Sequence, residues 1–114
     1  MSANGDLMLV TGATGFVGSA VVRTLLDAGQ RVRALVRKTS RLDNLHGLDV
    51  ETATGDLCAP ETLERAVQGC RGVFHVAADY RLWTLHPSEL YATNVRGSRN
   101  LLLAAANAGA QRVV

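Results

Sequence analysis

The chain has 114 residues, of which 47% are hydrophobic, and its formal net charge is +2. This length favours one domain, and this hydrophobic content favours a folded one. Scattered basic residues and an aromatic content of 4% are not typical of nucleic-acid binding, and no apolar run could span a bilayer. Without a signal-peptide pattern, we expect a cytoplasmic protein in which Cys58 and Cys70 stay reduced.

The first motif is a glycine-rich turn between an apolar strand and a helix. The strand is predicted over Leu7–Val10, and Gly12, Gly15 and Gly18 follow at three-residue spacing, a variant of the dinucleotide-binding fingerprint. There the first glycine allows a sharp turn, the second lets a pyrophosphate approach the backbone, and the third lets the helix pack on the sheet. The pyrophosphate would lie against N–H groups at the helix N-terminus. A purely structural strand–turn–helix is the alternative.

The helix after the turn is predicted from Phe16 to Ala28, where Gly29 ends it. Helical spacing gives it one apolar face, made of Val17, Ala20, Val21, Leu25 and Ala28.

A second strand is predicted over Arg31–Arg37, and its end bears on cofactor choice. In the dinucleotide-binding fold an acidic residue there bonds the ribose hydroxyls of NAD, whereas an arginine nearby meets the 2′-phosphate of NADP. Here Arg37 is followed by Lys38, and no Asp or Glu occurs between Asp27 and Asp43. We therefore favour NADP, with NAD as the second possibility. The alternative interpretation of Arg37 and Lys38 is a solvated basic loop, with the ribose bound through the backbone.

The later elements alternate as in an α/β fold. They are a strand over Asp49–Ala53, a helix over Pro60–Val67, a strand over Gly72–Ala78, a helix from Pro87 to about Ala108 and a strand from Gln111. The long helix should bury Leu90, Val95, Leu101, Leu102, Ala105 and Ala108. We expect a Rossmann-type, doubly wound parallel sheet with strand order 3-2-1-4-5 and right-handed crossovers.

His75 interrupts an otherwise apolar strand. It is either a catalytic base or a hydrogen-bonded core histidine. We favour the second, because the interior of a strand gives little access to a substrate.

Three segments resemble the extended short-chain dehydrogenases/reductases, the epimerase/dehydratase/reductase family. They are Thr-Gly-Ala-Thr-Gly-Phe-Val-Gly at 11–18, Ala-Ala-Asp-Tyr-Arg-Leu-Trp at 77–83 and Asn-Val-Arg-Gly-Ser-Arg-Asn-Leu-Leu at 94–102. The middle segment is most similar to the hopanoid-associated sugar epimerases, a branch close to the dihydroflavonol reductases. The resemblance covers the whole chain but only the N-terminal part of the family's length.

The resemblance implies a nicotinamide dinucleotide and a set of contacts to it. These are Gly12, Thr14, Gly15, Phe16, Val17, Gly18, Arg37, Lys38, Asp56, Leu57, Ala77 and Ala78. Asp56 and Leu57 would meet the adenine, and Ala77 and Ala78 would lie near the nicotinamide ribose. For Asp56, a turn or helix-capping role is an equal alternative.

The resemblance also implies a small, sugar-like substrate. The loop after a strand's carboxyl end faces the ligand crevice of such a sheet, so Asp79, Tyr80, Arg81 and Trp83 are candidate substrate contacts. A surface loop with Trp83 packed on the helix behind it is the alternative. Asn94 would lie near the active site, or else be a polar helix residue that bonds backbone.

Family catalysis needs a Tyr with a Lys four residues later, which this chain does not contain. Its one lysine is Lys38, and Ala34 stands four residues before it. Residues 1–114 are therefore expected to be an NAD(P)-binding domain that stops before the catalytic Tyr/Lys segment and the substrate domain, inactive alone. A non-catalytic NAD(P)-binding regulator is the alternative. The sequence sets no oligomeric state.

Overall fold

The computed structural model describes residues 5–38, 42–76, 87–110 and 112–114, with side chains in the helix that starts at Pro87 described from Val95 onward. The elements are β1 (Leu7–Thr11), α1 (Phe16–Asp27), β2 (Arg31–Val36), a 3-10 turn (Asp43–Leu45), β3 (Glu51–Thr54), α2 (Pro60–Ala66), β4 (Gly72–His75), α3 (Pro87–Asn107) and β5 (Arg112–Val113). β3 begins two residues later than predicted, and β4 ends at His75, before Val76.

The strands form one parallel sheet in the order β3-β2-β1-β4-β5, which confirms the predicted order. β1 lies at its centre, and Val10 pairs with Ala34 of β2 on one side and with Phe74 of β4 on the other. The chain builds outward through β2 and β3, then crosses to the other side of β1. In open α/β sheets, this switch point between β1 and β4 is where a ligand crevice opens.

Both faces of the sheet are covered by helices. On one face, Val22 of α1 and Leu45 of the 3-10 turn pack with β1 and β2 residues such as Val10. On the other face, Leu63 of α2 and Leu101 of α3 enclose a second core with residues of β1, β2 and β4. A strand covered on both faces has a nearly continuous apolar sequence, which explains the residue pattern of β1.

The predicted inner face of α1 is partly wrong. Val17 is 62% exposed and Ala28 is exposed, whereas Gly18, Ser19 and Val22 are the buried residues of this helix. The cause is the close approach of α1 to the glycine turn at Gly18, which rotates the face centred on residues 18 and 22 toward the sheet.

A similar rotation occurs in α3. Leu101 and Ala105 are buried as predicted, but Val95 is 50% and Leu102 is 52% exposed. This helix packs closely through the buried Gly97, and the face that continues from residue 97 through residues 101 and 104 points inward. The predicted burial of Leu90 lies outside the described side chains.

Both cysteines are free thiols, with Cys58 exposed and Cys70 buried. None of the described helices combines the length and apolarity needed to cross a lipid bilayer.

Candidate cofactor site

The turn between β1 and α1 requires glycine at two positions for reasons internal to the fold. Gly12 has a φ of +68°, a conformation that side chains other than glycine rarely adopt. Its carbonyl oxygen accepts a hydrogen bond from the Gly15 N–H at 3.1 Å, which closes the turn. A Cβ on Gly18 would overlap that same carbonyl group, so the helix can sit this close only without a side chain there.

The fold does not require glycine at Gly15. Its φ is −81°, an ordinary value, and an added Cβ would meet nothing nearer than the Gly12 oxygen at 3.4 Å, a normal contact distance. The residue is also exposed. A position without a side chain that packing does not explain is what the approach of a ligand to the backbone requires. Gly15 therefore matches the role predicted for it in pyrophosphate binding.

The N-terminus of α1 is open toward the same space. Gly15 is the N-cap and supplies no side-chain acceptor, and the first turn contains no acidic residue. An α-helix leaves its first N–H groups without intrahelical partners, and its dipole places partial positive charge there. Phe16 and Val17, the first two helical residues, are 86% and 62% exposed. These features suit a bound anion.

The glycine turn is held from outside by Asn44, a residue that the sequence analysis missed. The Asn44 amide Nδ2 donates to the Thr14 carbonyl oxygen at 2.8 Å. Asn44 lies in the 3-10 turn, which the buried Leu45 anchors in the core beside α1. The two segments are 30 residues apart in sequence, so no local pattern revealed the contact.

On the β3 side, the predicted adenine loop lies beside the end of β2. The Gly55 N–H donates to the Val36 carbonyl oxygen at 2.9 Å, which places this loop next to Arg37. Arg37 and Lys38 are exposed, as a role in binding a phosphate requires. The parallel sheet thus brings the predicted pyrophosphate, phosphate and adenine contacts to one edge, where β1, β2 and β3 end.

Asp56 is a turn residue in this loop. Its carboxylate oxygen Oδ1 accepts a hydrogen bond from the Cys58 N–H at 2.8 Å, and the side chain is exposed. The predicted turn role is therefore confirmed, while adenine contact by Asp56 and by the half-buried Leu57 stays a prediction.

His75 is a hydrogen-bonded, half-buried histidine, as favoured from the sequence. Its Nδ1 lies 2.9 Å from the hydroxyl of the fully buried Thr11, and its Nε2 lies 2.9 Å from the Ser98 hydroxyl. The Thr11 hydroxyl also accepts the Val76 N–H at 3.1 Å. This network joins β1, β4 and α3 at the switch point. Burial lowers the pKa of His75, which favours the neutral ring.

The remaining predicted contacts lie outside the described residues. They are Ala77, Ala78, Asp79, Tyr80, Arg81, Trp83 and the side chain of Asn94. Ser98 and Asn100, which belong to the same sequence signature as Asn94, are described. Ser98 bonds His75, and Asn100 donates to the Leu57 carbonyl oxygen at 2.8 Å.

The model of the NAD dependent epimerase/dehydratase family matches residues 8–114. The chain belongs to this family. A protein of Synechocystis sp. that carries the provisional name dihydroflavonol 4-reductase is 50% identical over 112 residues, which are 98% of this chain and 32% of that protein. The chain thus spans about a third of the length of the curated relatives it matches.

Two solved structures share this fold. The crystal structure of gox2253 superposes with a TM-score of 0.88 at 53% identity, over 96% of this chain and 33% of that one. A UDP-glucose 4-epimerase of Thermus thermophilus, solved in complex with NAD, gives a TM-score of 0.80 at 31% identity, over 94% of this chain and 36% of that one.

Proposed function

We propose that this chain is the cofactor-binding part of an NAD(P)-dependent epimerase, dehydratase or reductase, and that it holds the pyrophosphate against the turn from Gly12 to Gly18. The observation that carries the proposal is Gly15, an exposed glycine that neither backbone conformation nor packing requires. Its missing side chain leaves space beside the open N-terminus of α1, where charge and N–H groups favour an anion.

The dinucleotide would extend along the edge where the strands end. Its adenosine half would lie between Arg37 and the loop of Asp56 and Leu57, which the Gly55–Val36 hydrogen bond keeps adjacent. Its nicotinamide half would lie toward the end of β4, where Ala77 and Ala78 would pack near the ribose. When bound, the nicotinamide ring supplies hydride transfer.

For the adenosine end we propose NADP as the preferred cofactor. A guanidinium can hold a phosphate with two parallel hydrogen bonds, whereas a carboxylate at this position would repel the 2′-phosphate. Arg37 and Lys38 are exposed at the end of β2 and are compatible with this role. The Thermus thermophilus relative was solved with NAD, so the preference is a property to be measured on this chain.

The proposed substrate of the whole protein is a sugar or a similar hydroxyl or carbonyl compound. The similarity to a UDP-glucose 4-epimerase supports this class, and the polar groups of Asp79, Tyr80, Arg81 and Trp83 suit such a molecule. Asn94 would support the active site from α3.

Titration of the chain with NADPH and NADH, followed by the fluorescence of the reduced nicotinamide, tests the proposal. We expect a saturable enhancement that AMP competes away, with tighter binding of NADPH. The matched control is the Thr24→Ala variant, which changes an exposed position of α1 and should bind as the wild type does. A sample that is folded by circular dichroism and gives no enhancement with either cofactor would overturn the proposal.

A further inference from the structure

The loop over residues 55–58 is fixed by neighbours from three elements. Gly55 is bonded to the end of β2, as described above, and the Asp56 N–H donates to the hydroxyl of Thr62 in α2 at 3.0 Å. The third contact comes from α3, where Asn100 donates to the Leu57 carbonyl oxygen. The first two contacts hold residues 55 and 56, and the contact from α3 holds residue 57.

Two residues of α3, one helical turn apart, contact Leu57 together. Gly97 is buried, and a Cβ placed on it would lie 3.0 Å from the Leu57 Cβ and 3.5 Å from its Cδ1. Three residues later, the half-buried Asn100 reaches the backbone of Leu57 from the same side of the helix. The glycine thus sets how closely the loop approaches α3, and the amide sets the orientation of the Leu57 peptide group.

We propose that Asn100, together with the small residue at Gly97, positions the Asp56–Leu57 loop for the adenine half of the cofactor. This inference rests on the proposed function, because the loop matters only if a dinucleotide binds there. An amide that fixes one peptide group in advance lowers the ordering cost of binding. Asn100 is a positioning residue: it acts through Leu57 and touches no ligand itself.

The role differs from simple support of the fold in a measurable way. A general loss of stability would weaken the binding of both halves of a dinucleotide. A displaced Leu57 would weaken the binding of the adenine half alone. AMP and nicotinamide mononucleotide separate the two halves. The AMP unit is present in both cofactors, and NADP differs only by a 2′-phosphate that AMP lacks, so the result does not depend on the proposed preference for NADP.

The experiment measures the affinity of the chain for AMP and for nicotinamide mononucleotide by NMR titration. The variants are Asn100→Ala, which removes the tether, and Gly97→Ala, which keeps the tether but pushes Leu57 away. Gly97→Ala raises helix propensity, which offsets part of the cost of displacing Leu57, and circular dichroism checks that the variant folds as the wild type does. The matched control is Asn107→Ala, which removes an exposed amide from the last turn of the same helix.

We expect Asn100→Ala to bind AMP about fivefold more weakly, the net contribution of the one hydrogen bond it removes. Gly97→Ala keeps that bond but displaces Leu57, and it should also bind AMP more weakly. Binding of nicotinamide mononucleotide should stay unchanged, and Asn107→Ala should match the wild type. Unchanged AMP binding in both variants, or an equal loss for both half-cofactors, would overturn the positioning role while leaving the proposed function intact. A folded wild-type chain that binds neither half-cofactor would instead overturn the proposed function, and the inference with it.

Discussion

The turn from Gly12 to Gly18 and the loop over residues 55–58 lie at the same edge of the sheet, but they use their polar groups differently. The first ends in an uncapped helix N-terminus and contains a glycine that packing does not require. In the second, the backbone groups of Asp56 and Leu57 and the carboxylate of Asp56 are bonded to the protein itself. The geometry of the first segment therefore supports the proposed ligand role, whereas in the second segment that proposal depends on the family resemblance.

The largest expected effect distinguishes Gly18, a glycine that packing requires, from Gly15, one that packing does not require. Gly18→Ala should destabilise the fold by about 1–3 kcal/mol through overpacking against the Gly12 carbonyl, despite a better helix propensity. Urea unfolding followed by circular dichroism measures it. Thr24→Ala, at an exposed position of the same helix, is the control and should stay close to the wild type. Equal stability of Gly18→Ala and wild type would contradict the packing role.

Gly15→Ser should act on binding and leave folding intact. Serine is a favoured N-cap, so the variant should be at least as stable as the wild type. Its side chain would fill the space proposed for the pyrophosphate and reduce NADPH affinity on the order of tenfold or more. Fluorescence titration and a melting curve on the same sample measure both properties. Wild-type affinity in a stable variant would show that no ligand group approaches residue 15.

Beside the loop over residues 55–58, Arg37→Asp tests whether the end of β2 contacts the 2′-phosphate of NADP. Loss of a charge-assisted contact should weaken NADPH roughly ten- to a hundredfold relative to NADH. Arg112→Asp makes the same charge change at the start of β5, the outermost strand on the other side of β1, and serves as the control. An equal loss for both cofactors would mean that Arg37 does not distinguish them.

The smallest expected effect concerns the His75 network between β1 and β4. Since burial lowers the pKa of His75 below its ordinary value of 6.5, the unfolded chain binds a proton more readily than the folded one. The free energy of unfolding should therefore be highest where both states are neutral and fall as pH drops below about 6.5. Urea unfolding at about pH 7.5 and about pH 5 measures the difference.

In His75→Gln this difference should shrink. His46→Gln removes an exposed histidine and should keep the wild-type pH dependence. The same pH dependence in wild type and His75→Gln would exclude His75 as its source.

The sequence was sufficient for the elements and the glycine turn, because these depend on local patterns. The order of the strands followed from the alternation of strands and helices that is typical of a Rossmann-type sheet. The steric need for glycine at positions 12 and 18 arises within seven residues. The inner faces of α1 and α3 were predicted less well, since the rotation of a helix depends on close contacts such as that between Gly97 and Leu57. Asn44 and Asn100 were missed because their partners lie 30 and 43 residues away. Such amide-to-carbonyl bonds produce no periodic signal.

The contact between Gly18 and the Gly12 carbonyl also fixes how many residues the turn can contain. Each residue rotates an α-helix by about 100°, so deleting one residue before Gly18 would turn the rest of α1 by that angle. Ser19 would then face the Gly12 carbonyl, and the exposed Arg23 would take the buried place of Val22. The turn from Gly12 to Gly18 could not be shortened, or moved to another protein without α1, because its length determines which face of α1 packs on the sheet.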